Sequence, residues 1–171
     1  MDIFNCLYFV FLQNNYLGNS SNWLFREILW KAIMKKNKQT FISKKPLIAD
    51  FIGKSVNYRQ YFGGGRKHDI AKAVGIKSGT RPNVIDATAG LGRDGFILAS
   101  LGLHVTLIER SQIIHDLLAD GMKRASDVDG RTAEIISRMK LIHADAIKLL
   151  PTLSTNVIYL DPMHPPRRKS S

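Results

Sequence analysis

Four acidic residues of this chain, Asp86, Glu109, Asp145 and Asp161, stand at or just after the ends of short apolar runs. A carboxylate at the tip of a buried strand is fixed in direction. It can accept hydrogen bonds from hydroxyl or amino groups, or balance a cation. After the first of these acids the chain reads Asp86-Ala87-Thr88-Ala89-Gly90-Leu91-Gly92-Arg93-Asp94-Gly95. Gly90, Gly92 and Gly95 satisfy the dinucleotide spacing G-x-G-x-x-G, so the glycines alone suit an NAD-dependent oxidoreductase. Asp86 and Asp94 oppose that reading, because a diphosphate seated on a helix N-terminus would be repelled by carboxylates on both sides of the glycines. Two acids suit a cationic ligand better. Glu109 can accept from both hydroxyls of a ribose, a role open to any adenosine ligand. Asp145 can accept from an adenine amino group or cap the helix that follows it.

S-adenosylmethionine carries an ammonium and a sulfonium and no phosphate, and the pattern D-x-x-x-G-x-G resembles the first motif of class I methyltransferases. The strand Asn156–Leu160 runs into Asp161-Pro162-Met163-His164-Pro165. Prolines stiffen the turn, so the Asp161 carboxylate and neighbouring carbonyls are expected at the sheet's carboxyl edge, where open α/β folds bind ligands. This resembles the fourth motif of amino-directed methyltransferases, an Asp or Asn, two prolines and an aromatic. The resemblance implies catalytic roles for Asp161, Pro162, Met163 and His164. Acceptors in the turn hold the N–H groups of an exocyclic amine, and the His164 ring stacks on the base.

A longer match is carried by Asp50-Phe51-Ile52-Gly53, Arg59, Phe62-Gly63-Gly64-Gly65-Arg66, Ala71 to Lys77, the block Asp86 to Asp94, Glu109-Arg110, Leu141 to Ala144 and Tyr159 to Met163. Over roughly residues 46–170 the chain resembles the bacterial RsmJ (YhiQ) family of 16S ribosomal RNA guanine-N2 methyltransferases. The resemblance implies methyl transfer from S-adenosylmethionine to a guanine N2 in 16S rRNA, free or in the small ribosomal subunit. By motif position it implies that Arg93, Asp94, Glu109, Arg110, Asp145, Ala146 and Asp161 line the cofactor site, beside Asp86, Gly90 and Gly92. Two departures stand out: His164 occupies a position where the family usually has Phe, and the chain ends at Ser171, before the further strands of a class I sheet.

The elements that must position these residues are legible from Arg81 onward. Strands are expected at Asn83–Asp86, His104–Ile108, Lys140–His143 and Asn156–Leu160. Helices are expected at Gly95–Leu101, from an N-cap at Ser111 to about Arg124, over Arg131–Met139, and from Asp145. Such alternation predicts a doubly wound parallel α/β sheet, here the Rossmann-like class I methyltransferase fold without its C-terminal strands. The fourth strand, central in that fold, would then be an edge, its unpaired backbone open to aggregation. A truncated enzyme of impaired activity is the expectation, with a non-catalytic RNA-binding remnant as the alternative.

Residues 46–171 form the expected methyltransferase domain, and residues 1–45 a basic N-terminal extension. Within the extension, Ile3–Leu12 reads as a buried element too short to span a bilayer, and Trp23–Met34 as a docking helix with one apolar stripe. Gly63-Gly64-Gly65-Arg66-Lys67 reads as a basic glycine loop, either a plain linker or a close approach to phosphate, ahead of a helix over Asp69–Val74.

The 171 residues carry 25 Lys+Arg against 14 Asp+Glu, a net charge of +11 that suits either a polyanionic partner or an anionic membrane surface. Arg59, Arg66, Lys67 and the tail Arg167-Arg168-Lys169 flank the expected site as RNA-binding candidates. With Cys6 as the single cysteine, neither an internal disulfide nor a thiolate metal cluster is expected, which fits the cytoplasm. No metal and no membrane association are expected.

Overall fold

In the computed structural model the described residues are 9–12, 46–52, 64–76, 80–128 and 130–161. In chain order they form β1 (Phe9–Leu12), α1 (Gly64–Ala73), β2 (Val84–Asp86), α2 (Arg93–Ser100), β3 (Val105–Glu109), α3 (Gln112–Ser126), α4 (Gly130–Ser137), β4 (Met139–His143), α5 (Ala146–Leu149), a single 3-10 turn (Leu150–Thr152) and β5 (Val157–Leu160). The five strands make one sheet in the order β1-β5-β2-β3-β4. β2 pairs in parallel with β3 and with β5, and β3 in parallel with β4. The chain thus builds outward from β2 through β3 to β4, then returns to place β5 on the other side of β2. That reversal is a topological switch point, and the carboxyl ends of β2 and β5 flank it.

Apolar residues on the two sides of each strand explain the layers. Val84, Val105, Leu107, Val157 and Tyr159 face a large core with Phe96, Leu98, Leu118, Ile135 and Ile136, contributed by α2, α3 and α4. Ile85, Ile108, Ile158 and Leu160 face a smaller core with Ala146 and Leu150 from α5 and the 3-10 turn. Helices on both faces are what a parallel sheet requires, because its strands are apolar on both sides. All three residues of β2 and all four of β5 are buried.

Three expectations are corrected. β5 is not an edge: β1 pairs with it antiparallel, Phe9 opposite Leu160 and Leu12 opposite Val157. A row of unpaired N–H and C=O groups on β5 is satisfied by this added strand. α2 begins at Arg93, not Gly95, and places Asp94 in the first turn, where the helix dipole favours an acid. α1 begins at Gly64, so Gly64 to Lys67 are helical backbone and not a loop. The helical cost of the glycines is met by burial further along, where Ile70 and Val74 are fully excluded from solvent. The helix proposed over Trp23–Met34 lies outside the described residues.

The pairing of β1 makes a prediction. Deleting residues 1–12 uncovers β5, so the shortened chain should associate with rising concentration where the full chain does not, as read by light scattering.

Candidate functional site

The turn after β2 is built to be rigid. Asp86 is 2% exposed, and its Oδ1 accepts from Thr88 N at 3.0 Å. Ala89 N donates to Ile108 O at 3.3 Å, and Gly92 N donates to Ala89 O at 2.8 Å. Gly90 and Gly92 have φ of 55° and 71°, a region that L side chains avoid. At Gly92 space forbids a side chain as well, since a Cβ would lie 2.6 Å from Leu118 Cδ1 and 3.2 Å from Phe51 Cζ. Phe51, itself stacked on Phe96 with centroids 5.0 Å apart, packs behind this turn.

Glu109 joins the turn to the tip of β3. Only 5% exposed, it accepts from Gly90 N through Oε2 and from Ser111 N through Oε1, each at 2.9 Å. The tip of β4 is tied on in the same way: Ala144 N donates to Glu109 O at 3.1 Å, and His143 Nε2 lies 3.0 Å from Arg110 O. Between these tips lies an open cleft lined by Ala87, Thr88, Ile108, Glu109, Arg110, Ala144 and Ala146. Apolar walls with one buried carboxylate at the rim suit an adenosine, whose flat base matches Ile108 and the alanines and whose ribose hydroxyls match a carboxylate acceptor. The lining combines the buried Glu109 carboxylate with the Arg110 guanidinium.

The expected residues are therefore distributed as follows. Asp86, Gly90, Glu109, Arg110 and Ala146 gather around the cavity and the turn that bounds it. Asp145 caps α5, its Oδ1 accepting from Ile147 N at 3.0 Å, while its neighbours on both sides line the cavity. Arg93 is exposed on the first turn of α2. Asp94, in the same turn, accepts from Tyr159 Oη at 3.0 Å. Asp161 follows β5 at the switch point, its N–H donating to Thr88 Oγ1 at 2.9 Å. Pro162, Met163, His164, Arg59, Arg167 and Arg168 lie outside the described residues, as do the side chains of Arg66 and Lys67.

Three contributors escaped the sequence reading. Thr88 was visible only as the hydroxyl inside the Asp86–Gly90 spacing. Phe51 was one apolar residue among several. Tyr159 carried the better signal, a phenol in an otherwise aliphatic strand, since a buried hydroxyl needs a partner.

Tyr159 also reports the electrostatics of the site. Burial first, then the carboxylates of Asp94, Asp161 and Asp86, push its phenol far above the ordinary value of 10.0. It therefore stays a neutral donor, and three acids converge around it. An acid whose native pKa is raised contributes stability that is complete below its unfolded pKa and is lost as pH climbs from there. Above pH ~10 the wild type should lose stability relative to Tyr159→Phe by up to about 1.4 kcal/mol per pH unit, measured by urea denaturation of both proteins across pH 8 to 11.5.

Among the described residues no helix is long and apolar enough to cross a membrane. The family model described as "Putative SAM-dependent methyltransferase" matches residues 13–171. Curated relatives include the Ribosomal RNA small subunit methyltransferase J of Brucella anthropi, 50% identical over 130 residues that cover 76% of this chain and 63% of the relative. The protein of the same name from Shewanella loihica is 43% identical over 152 residues, covering 88% of this chain and 59% of the relative. The chain thus spans about three fifths of the length of these relatives. The crystal structure of a SAM-dependent methyltransferase from Neisseria gonorrhoeae superposes with a TM-score of 0.54 at 39% identity, covering 67% of this chain and 45% of that one. Matched over nearly its whole length by the family model, and similar to proteins named Ribosomal RNA small subunit methyltransferase J, the chain belongs to the SAM-dependent methyltransferase family.

Proposed function

We propose that the protein transfers a methyl group from S-adenosylmethionine to the exocyclic N2 amine of a guanine in 16S ribosomal RNA, free or within the small subunit, in the cytoplasm. The observation that carries this reading is one constellation: Asp86, Glu109 and the Gly90–Gly92 turn around an apolar cavity, with Asp161 at the adjoining strand tip across the switch point. When bound, the cofactor supplies a sulfonium methyl group open to attack by a nucleophile.

The protein's own residues do the rest. Glu109 accepts from the ribose hydroxyls, and Ile108, Ala144 and Ala146 flank the base. Asp86, Asp94 and Asp161 set up a negative field that favours a cation over a diphosphate. An exocyclic amine conjugated to a purine is a weak nucleophile, so the rate comes from orientation. Asp161 and the turn that follows it accept the N2–H groups, aim the nitrogen lone pair, and offer a carboxylate to the proton that N2 gives up after transfer. His164 stacks on the guanine, and the basic residues Arg59, Arg66, Lys67, Arg167 and Arg168 contact RNA phosphates.

The test is calorimetric titration with S-adenosylmethionine, with NAD as the comparison ligand and Asp86→Ala as the control, followed by nucleoside analysis of 16S rRNA and small subunits incubated with both. Cofactor binding that disappears in Asp86→Ala, together with new N2-methylguanosine, supports the reading. Salt-dependent RNA binding without a methyl mark would assign the chain to RNA binding alone. A folded chain that ignores S-adenosylmethionine would overturn the proposal.

A further inference from the structure

The switch point brings together the turn after β2 that bounds the cleft and Asp161, the residue that follows β5. The backbones of that turn and of β5 are joined directly where Ala87 N donates to Tyr159 O at 3.1 Å. A second link runs through a side chain: Asp161 N donates to Thr88 Oγ1 at 2.9 Å, across 73 residues of sequence. Thr88 is itself held by its backbone N–H on Asp86 Oδ1 at 3.0 Å, and that same oxygen lies 3.4 Å from the Thr88 hydroxyl. The polarity of this chain of contacts is determined. An amide can only donate, so the Thr88 hydroxyl accepts from Asp161, and its own proton points toward the Asp86 carboxylate.

Asp161 is confined from its other side as well. Pro162 follows it, and the residue before a proline is kept in extended conformations by the ring. The hydrogen bond at the amide then holds the backbone from which the Asp161 side chain projects. We infer that Thr88 is a positioning residue: its hydroxyl transmits the location of the buried Asp86 to Asp161, and so registers the methyl-acceptor turn against the cofactor turn. This role rests on the methyltransferase reading for its consequence and on the hydrogen bonds alone for its geometry.

The experiment compares the full chain with Thr88→Val, which keeps the shape and loses the hydroxyl, and Thr88→Ser, which keeps the hydroxyl. Amide hydrogen exchange is read by NMR at Asp161 and, as an internal reference, at Ala87. Thr88→Val is expected to speed exchange at Asp161 about tenfold while Ala87 stays within about threefold of wild type, and Thr88→Ser to restore protection. Unchanged exchange at Asp161, or equal loss at both amides, would overturn the inference, the second by showing that Thr88 merely stabilises the fold.

The functional consequence is read separately. Thr88→Val should lower single-turnover methyl transfer at saturating cofactor by tenfold or more, a loss that further S-adenosylmethionine does not recover. A raised Kd with an unchanged rate would make Thr88 a cavity wall and overturn the positioning role. If the wild-type chain binds no cofactor, the methyltransferase reading fails, and the exchange measurement still decides whether Thr88 holds Asp161.

Discussion

Replacing Glu109 by Gln is expected to weaken S-adenosylmethionine binding at least about a hundredfold and to cost about 1–3 kcal/mol of stability, although the two side chains have nearly the same shape. The reason is the division of labour between its two oxygens. Oε2 receives the N–H of Gly90 and Oε1 that of Ser111, so a single carboxylate holds the glycine turn on one side and the start of α3 on the other. An amide has one oxygen and one NH2. Whichever way it is turned, the NH2 faces a backbone donor at a site only 5% exposed, leaving that donor unsatisfied and pushing one of the two loops away. In the proposed site the same substitution would remove an acceptor for the ribose. Calorimetry measures the first effect and urea denaturation the second. Binding within about threefold of wild type would show that the ligand does not depend on this carboxylate.

Gly121→Ala should be among the most destabilising single-methyl changes in the molecule, with a loss of about 2–3 kcal/mol and a melting temperature lower by roughly 5–10 °C in a thermal scan. Helix propensity alone argues the opposite, because alanine is favoured over glycine inside a helix by about 1 kcal/mol. Packing decides. A Cβ at position 121 would stand 2.4 Å from Ala49 O and 2.7 Å from Ala49 Cβ. These atoms cannot rotate away as a side chain could, and the Ala49 carbonyl is further held by Arg124 Nη2 at 2.8 Å. The segment carrying Ala49 and Phe51 would have to lift from α3, and Phe51 is the ring packed behind the glycine turn. A loss of cofactor affinity should accompany the loss of stability. An unchanged or raised melting temperature would show that the segment yields more easily than this contact implies.

Much of this site was legible in the one-dimensional pattern. Apolar runs closed by Asp86, Glu109 and Asp161 mark strand tips because a strand buried on both faces must be apolar until it reaches solvent or a ligand. The four parallel strands and the caps at Ser111 and Asp145 follow from local rules that act over a few residues, and each is found where those rules put it. Gly95 was harder. The local pattern opens the helix at Gly95, whereas α2 already starts at Arg93, and a Cβ at Gly95 would sit 2.4 Å from Leu107 Cδ2 on β3. No local rule contains that neighbour.

What the sequence by itself determined, then, is the alternation of elements, the acidic residue at each ligand-facing tip and the glycine turn between β2 and α2, since these depend on periodicity, capping and backbone sterics along the chain. What only the tertiary structure decided is which groups those residues meet. Glu109 spends both oxygens on backbone donors, the Thr88 hydroxyl receives the amide of Asp161, and Tyr159 finds Asp94. β1 closes the open side of β5. Apart from Glu109 with Ser111, two residues on, each of these contacts joins positions far apart in sequence, and what selects them is the requirement that a buried donor, acceptor or strand edge be satisfied by whatever the fold brings within reach.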